Sequence, residues 1–208
     1  MIKNQDRSKW IGASDTAMVI GNWETDSFRE WWLVKLGINK LTFRSYKMEC
    51  GNAMEIPIIR AIETLEDEKI HIGKRPYHNI FLRLRCNYDG LRKYEVVEIK
   101  TTGHGFINVP KNYWAQCQVL MFRKKKKQTS LYAYKMTVSD YVNPYFPEID
   151  VRRLTRFVFC YDEDFIKKDY LPKLKYLAHC LRRKKFPKVE EYVQFNDKKR
   201  KRCFNCFS

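Results

Sequence analysis

The chain has 208 residues, 44% hydrophobic and 15% aromatic, which suits one domain with a substantial core. Forty-one Lys and Arg against 24 Asp and Glu leave a formal charge of +17, a surplus no fold requires and one that favours a polyanionic partner through counterion release. No run of about 18 apolar residues occurs, and the first residues carry no apolar leader core, so neither a membrane span nor secretion is expected and the chain is read as cytoplasmic.

In chain order, Ser14-Asp15-Thr16 followed by an apolar tetrad predicts a short capped helix ending at Gly21. A second helix is predicted from Asp26-Ser27 to Leu36, closed by Gly37, and a third around Met54 to Leu65 with Pro57 as its start or a kink. Residues 69–73, 80–86 and 94–101 read as strands. Pro110 opens a helix reaching about Arg123. Strands are predicted at 130–138 and 155–161, then a long amphipathic helix over 162–183, broken near Pro172. The order predicts an α/β fold with a central mixed sheet flanked by helices. A single domain over residues 1–190 and a basic tail over 191–208 are expected. The odd count of seven cysteines, in a reducing compartment, argues against a disulfide framework, and Cys117 and Cys160 are read as small core residues. Cys203 and Cys206 lack the spacing of an iron–sulfur or zinc site.

The segment 87–100 carries the chemistry. Asp89-Gly90 reads as a turn before the strand at 94–101. Residues two apart on a strand share a face, so Glu98 and Lys100 project together and Ile99 projects away. An Asp closing onto that side creates a hard-oxygen site suited to Mg²⁺ or Mn²⁺, and the neighbouring lysine can orient or deprotonate a water or neutralise charge developing on phosphorus. Asp, Glu and Lys so arranged are the apparatus of a metal-dependent nuclease. The basic runs 123–127 and 198–202 suit phosphate contacts without base reading.

Trp10-Ile-Gly-Ala-Ser-Asp15, Gly51-x3-Glu55, Asp89-Gly90, Glu98-Ile-Lys100 and Tyr113-x2-Gln116-Cys-Gln118 occur in the order found in YqaJ-like viral recombinases, and the chain resembles that family over about residues 5–185. The family includes the lambda-type phage exonuclease and lies within the PD-(D/E)xK nuclease superfamily, whose proline before the Asp is Tyr88 here. The resemblance implies a restriction-endonuclease-like core and a Mg²⁺-dependent (or Mn²⁺-dependent) 5′-to-3′ exonuclease. It would act on double-stranded DNA ends and leave 3′ single-stranded tails for a single-strand annealing protein, with a homo-trimer as the assembly. It implies Asp89, Glu98, the Ile99 carbonyl and Glu55 as the metal site, Lys100 as the residue activating water, and Arg7 and Ser14 as the grip on the 5′-phosphate. Gln116 and Gln118 point about 200° apart on a helix, so one alone faces the site. Gln118 is taken as the family glutamine, with Gln116 as the alternative. Two other functions fit the same residues: a structure-specific endonuclease or nickase, and a non-catalytic DNA-binding component of a recombination complex.

Overall fold

The structure is a computed structural model describing residues 8–40, 45–73, 75–145 and 147–204, with side chains described through 197. In chain order the elements are β1 (Ile11–Gly12), α1 (Thr16–Ile20), α2 (Asp26–Leu36), α3 (Tyr46–Glu66), β2 (His71–Ile72), β3 (Tyr77–Asn79), β4 (Leu84–Cys86), β5 (Gly90–Leu91), β6 (Glu95–Thr102), α4 (Lys111–Lys124), β7 (Gln128–Lys135), α5 (Val138–Val142), β8 (Leu154–Cys160), α6 (Leu171–Arg182) and α7 (Val189–Phe204). The described residues divide into two compact units, 45–77 with 86–161, and 8–40 with 78–85 and 162–204.

The first unit is built on a mixed sheet in the order β2-β5-β6-β7-β8. β6 and β7 run parallel from Glu95↔Gln128 to Thr102↔Lys135, and α4 is the crossover that parallel neighbours require. The other pairings are antiparallel. Period-two alternation gives β6 its two faces. Val97 and Ile99 pack with Met54, Ile58, Ile59 and Ile62 of α3. The opposite face, bearing Glu98, lies against α4, whose Cys117 packs on Leu131 and Ala133 of β7. α3 begins a full turn and more before its expected start, because Ser45 caps it by accepting a hydrogen bond from the Met48 amide, and it runs through Pro57. β8 is the outer strand of the sheet, so Cys160 is exposed rather than the core residue expected.

In the second unit, the segment expected as one strand over 80–86 is a turn at 80–83 between β3 and β4. Asn79 Oδ1 takes the Leu82 amide at 3.0 Å and Arg83 adopts φ 49°, so a local side-chain bond displaces the ladder. β1 pairs parallel with β4, giving a second small sheet, β1-β4-β3, where one sheet was expected. The helical stretch after residue 162 is broken as predicted. A π-helical turn, Phe165–Tyr170, leads into α6, and Pro172 falls in the first turn of α6, where an absent amide hydrogen costs nothing. α7 occupies much of the stretch expected as a tail. No helix among the described residues is long and apolar enough to cross a membrane.

Candidate active site

Antiparallel pairing of β5 with β6 stops at Gly90↔Val97. Ile99 therefore has no strand partner for its amide on that side, and Asp89 Oδ2 accepts it at 2.8 Å. This bond fixes Asp89 beside the Glu98–Lys100 segment. Gly90 is the next residue because a Cβ there would meet Ile70 Cγ2 at 2.3 Å. It lies in a strand and serves packing, not the turn predicted from Asp-Gly. The turn between β5 and β6 is locked by Arg92, whose guanidinium donates to Glu95 Oε1 at 2.9 Å, Glu66 Oε2 at 2.6 Å and the Tyr132 hydroxyl at 3.2 Å. A largely buried network of this kind holds the two carboxylate-bearing segments in register.

Lys100 Nζ donates to Glu98 Oε1 at 2.6 Å and lies 5.3 Å from the centre of the Tyr113 ring. Gln116 Nε2 donates to the same Glu98 oxygen at 2.6 Å. The second oxygen, Glu98 Oε2, is buried and has no hydrogen-bond partner. A buried carboxylate oxygen left bare is costly and marks a place built for a further cation or donor.

Glu55 enters from α3. Gly51, one turn earlier, lets that helix approach β6: a Cβ at Gly51 would lie 2.6 Å from Thr101 Oγ1. Gly51→Ala should therefore destabilise the protein by about 1–3 kcal/mol through overpacking, despite alanine's better helix propensity. Adding Thr101→Ala should restore most of the loss in urea unfolding. A Gly51→Ala protein more stable than wild type would contradict the close approach.

The charges of these residues act on one another. Burial, then the negative charges of Asp89 and Glu98, push Glu55 up to about 8, with Lys100 opposing. Burial and then Asp89 push Glu98 up to about 7, against Lys100 and the Gln116 bond. Burial raises Asp89 as well. Burial alone would lower Lys100, but the charges of Glu98 and Asp89 outweigh it and hold its pKa above the usual lysine range. Three carboxyls and one ammonium thus sense one another.

The predicted residues fall as follows. Lys100 bonds Glu98, Asp89 is tied to the Ile99 amide between them, and Glu55 lies near enough to feel the charges of all three. Gln118 is not with them: its Nε2 donates to the Cys160 carbonyl at 2.9 Å, while Gln116 takes the place at Glu98. The helix is rotated so that Tyr113 and Gln116, three apart, share the face toward Lys100 and Glu98. That spacing was the signal available in the sequence. Ser14 is exposed in a 3₁₀ turn, Ala13–Asp15, ahead of α1, and Arg7 lies outside the described residues, as do the Cys203 side chain and all of Cys206. Among the described residues no three His, Cys, Asp or Glu side chains form a ready-made metal-ligand set.

The fold is that of known nucleases. An alkaline exonuclease from Laribacter hongkongensis superposes with a TM-score of 0.60 at 18% identity, over 86% of this chain and 94% of its own. A phage-related exonuclease from Haemophilus somnus 129PT gives 0.58 at 13% identity, over 91% and 96%. The restriction-endonuclease-like fold is therefore the class to which the architecture conforms. The profile of the YqaJ-like viral recombinase domain matches residues 4–123, and the chain belongs to that family. No curated protein sequence matches it.

Proposed function

We propose that the protein is a divalent-metal-dependent deoxyribonuclease degrading double-stranded DNA 5′ to 3′ from its ends and leaving 3′ single-stranded tails for strand annealing. The observation that carries this reading is the bare, buried Glu98 Oε2, in a carboxyl that the charge of Asp89 raises and whose own charge raises Glu55. Oxygen donors around a carboxylate lacking a partner fit Mg²⁺ or Mn²⁺. Asp89, Glu98 and Glu55 would hold the ion. The Ile99 carbonyl would join them, since an extended residue whose amide faces Asp89 turns its carbonyl to the same edge. The ion would supply Lewis acidity to the phosphate and a more acidic water. Lys100 positions the attacking water and offsets charge on the phosphate oxygens, and Gln116 holds Glu98 in place. Alkaline and phage-related exonuclease activities of the structural relatives agree with this assignment. Arg7 and Ser14 are assigned to the 5′-phosphate, residues 1–190 to the exonuclease domain, and a homo-trimer and an annealing protein to the functional assembly.

End-labelled linear duplex, 5′-phosphorylated or not, with and without Mg²⁺, tests the activity. Covalently closed plasmid should survive; nicking of it would favour the endonuclease reading. Gln116→Ala should lower the rate by roughly 10–100-fold, as for a residue supporting a metal ligand, whereas Gln118→Ala should act on thermal stability and leave the rate near wild type. The reverse pattern would return the role to Gln118.

The raised carboxyls also predict a pH dependence. Glu55 and Glu98 bind protons more tightly folded than unfolded, where a Glu titrates near about 4.3. Their contribution is favourable at low pH and is lost as pH rises toward about 8 and about 7. A divalent cation binds the ionised forms. The gain in Tm from Mg²⁺ or Mn²⁺ should therefore be larger at pH 8 than at pH 6, and absent in Glu98→Ala. A metal-induced shift that does not change with pH would contradict it.

A further inference from the structure

The turn between β3 and β4 exposes two large apolar side chains, Ile80 at 68% and Phe81 at 87%. The turn is ordered by specific bonds. Asn79 Oδ1 accepts the Leu82 amide, and Arg182 Nη1 donates to the Phe81 carbonyl at 2.8 Å. That second bond joins the tip to the end of α6, where Arg182, Arg183, Lys184, Lys185 and Lys188 follow one another with no acid among them. All five are exposed, and Phe186, 41% exposed, lies within the same run.

An aromatic ring held outward next to a run of exposed cations matches the needs of single-stranded DNA, whose bases offer faces for stacking and whose phosphates need neutralising. A second copy of this chain fits less well, because this basic run would have to meet the surface of a chain that itself carries a formal charge of +17. We infer that the Ile80–Phe81 turn and the Arg182–Lys188 run form a binding surface for single-stranded DNA, on which Phe81 stacks against an unpaired base. The inference depends on the proposed function only in taking DNA as the partner.

Binding is read by fluorescence anisotropy in the full chain carrying Glu98→Gln, so that the DNA is not degraded. The probes are a short labelled single strand and a duplex closed at both ends by hairpins. Phe81→Ala should weaken single-strand binding by about 5- to 100-fold, Phe81→Trp should retain it, and the closed duplex should bind all three alike. Arg183→Ala with Lys185→Ala should reduce the slope of log K against log salt by about 1.4. Single-strand binding by Phe81→Ala within twofold of its parent would overturn the inference, as would an equal loss on the closed duplex or a change confined to oligomeric state in sedimentation. If wild type degrades linear DNA while Phe81→Ala binds normally, this surface fails and the nuclease assignment stands. If the parent binds no DNA at all, both fail.

Discussion

Glu98→Ala is expected to abolish cleavage, lowering the rate by about three powers of ten or more, while duplex binding persists. Glu98 stands at the junction of the Lys100 and Gln116 bonds. One oxygen accepts from both Lys100 and Gln116 at 2.6 Å, and the other is buried and bare. Removing it deletes a ligand of the proposed metal and leaves the Lys100 ammonium without its partner. Metal-ion catalysis is worth several kcal/mol, and each 1.36 kcal/mol is a factor of ten, which sets the expected size. The neighbouring carboxyls should respond in a defined direction. Burial and Asp89 still raise Glu55, but the Glu98 contribution goes, so its pKa should move back toward an ordinary carboxylate. Metal-dependent cleavage by pure Glu98→Ala protein would refute the site.

Lys100→Ala is expected to be nearly as inactive, by roughly 10²–10⁴-fold, the range for a positioned proton-transfer group. Its consequences differ from those of Glu98→Ala. Lys100 opposes the raised pKa values of Glu55, Glu98 and Asp89, so without it all three carboxyls should rise further. Metal affinity near neutral pH should then fall and recover as pH rises, whereas catalysis should stay lost at every pH. Isothermal titration with Mn²⁺ at two pH values separates the two effects. Rescue of the cleavage rate by raising pH alone would reassign Lys100 from the reacting water to the tuning of the carboxylates.

Period two and β-branched residues made β6 legible, and with it the shared side of Glu98 and Lys100 opposite Ile99; that Ile99 packs against α3 came from the fold. The motifs Gly51-x3-Glu55 and Asp89-Gly90 were visible as patterns, but their reasons were not. Gly51 admits Thr101 from β6, and Gly90 admits Ile70 in a strand rather than making a turn. Both are close approaches between segments far apart in sequence. The turn at 80–83 reads as strand because Leu82 to Cys86 alternate apolar and basic and Ile80-Phe81 extend the apolar run, while the decision lay with the Asn79 side chain and with Arg182, a hundred residues away. The choice between Gln116 and Gln118 is of the same kind, since helical geometry separates the two without saying which face meets the sheet.

The sequence by itself singled out the chemical groups, an Asp, a Glu-x-Lys and a distant Glu in a strongly basic chain, with period two setting Glu98 and Lys100 on one face. Tertiary structure decided the convergence. It set Glu55 within the field of Asp89 and Glu98, gave Gln116 rather than Gln118 to Glu98, and left Glu98 Oε2 bare. Local preference acts over a few residues, whereas the rotation of a packed helix and the burial of a carboxylate depend on what the rest of the chain places against them.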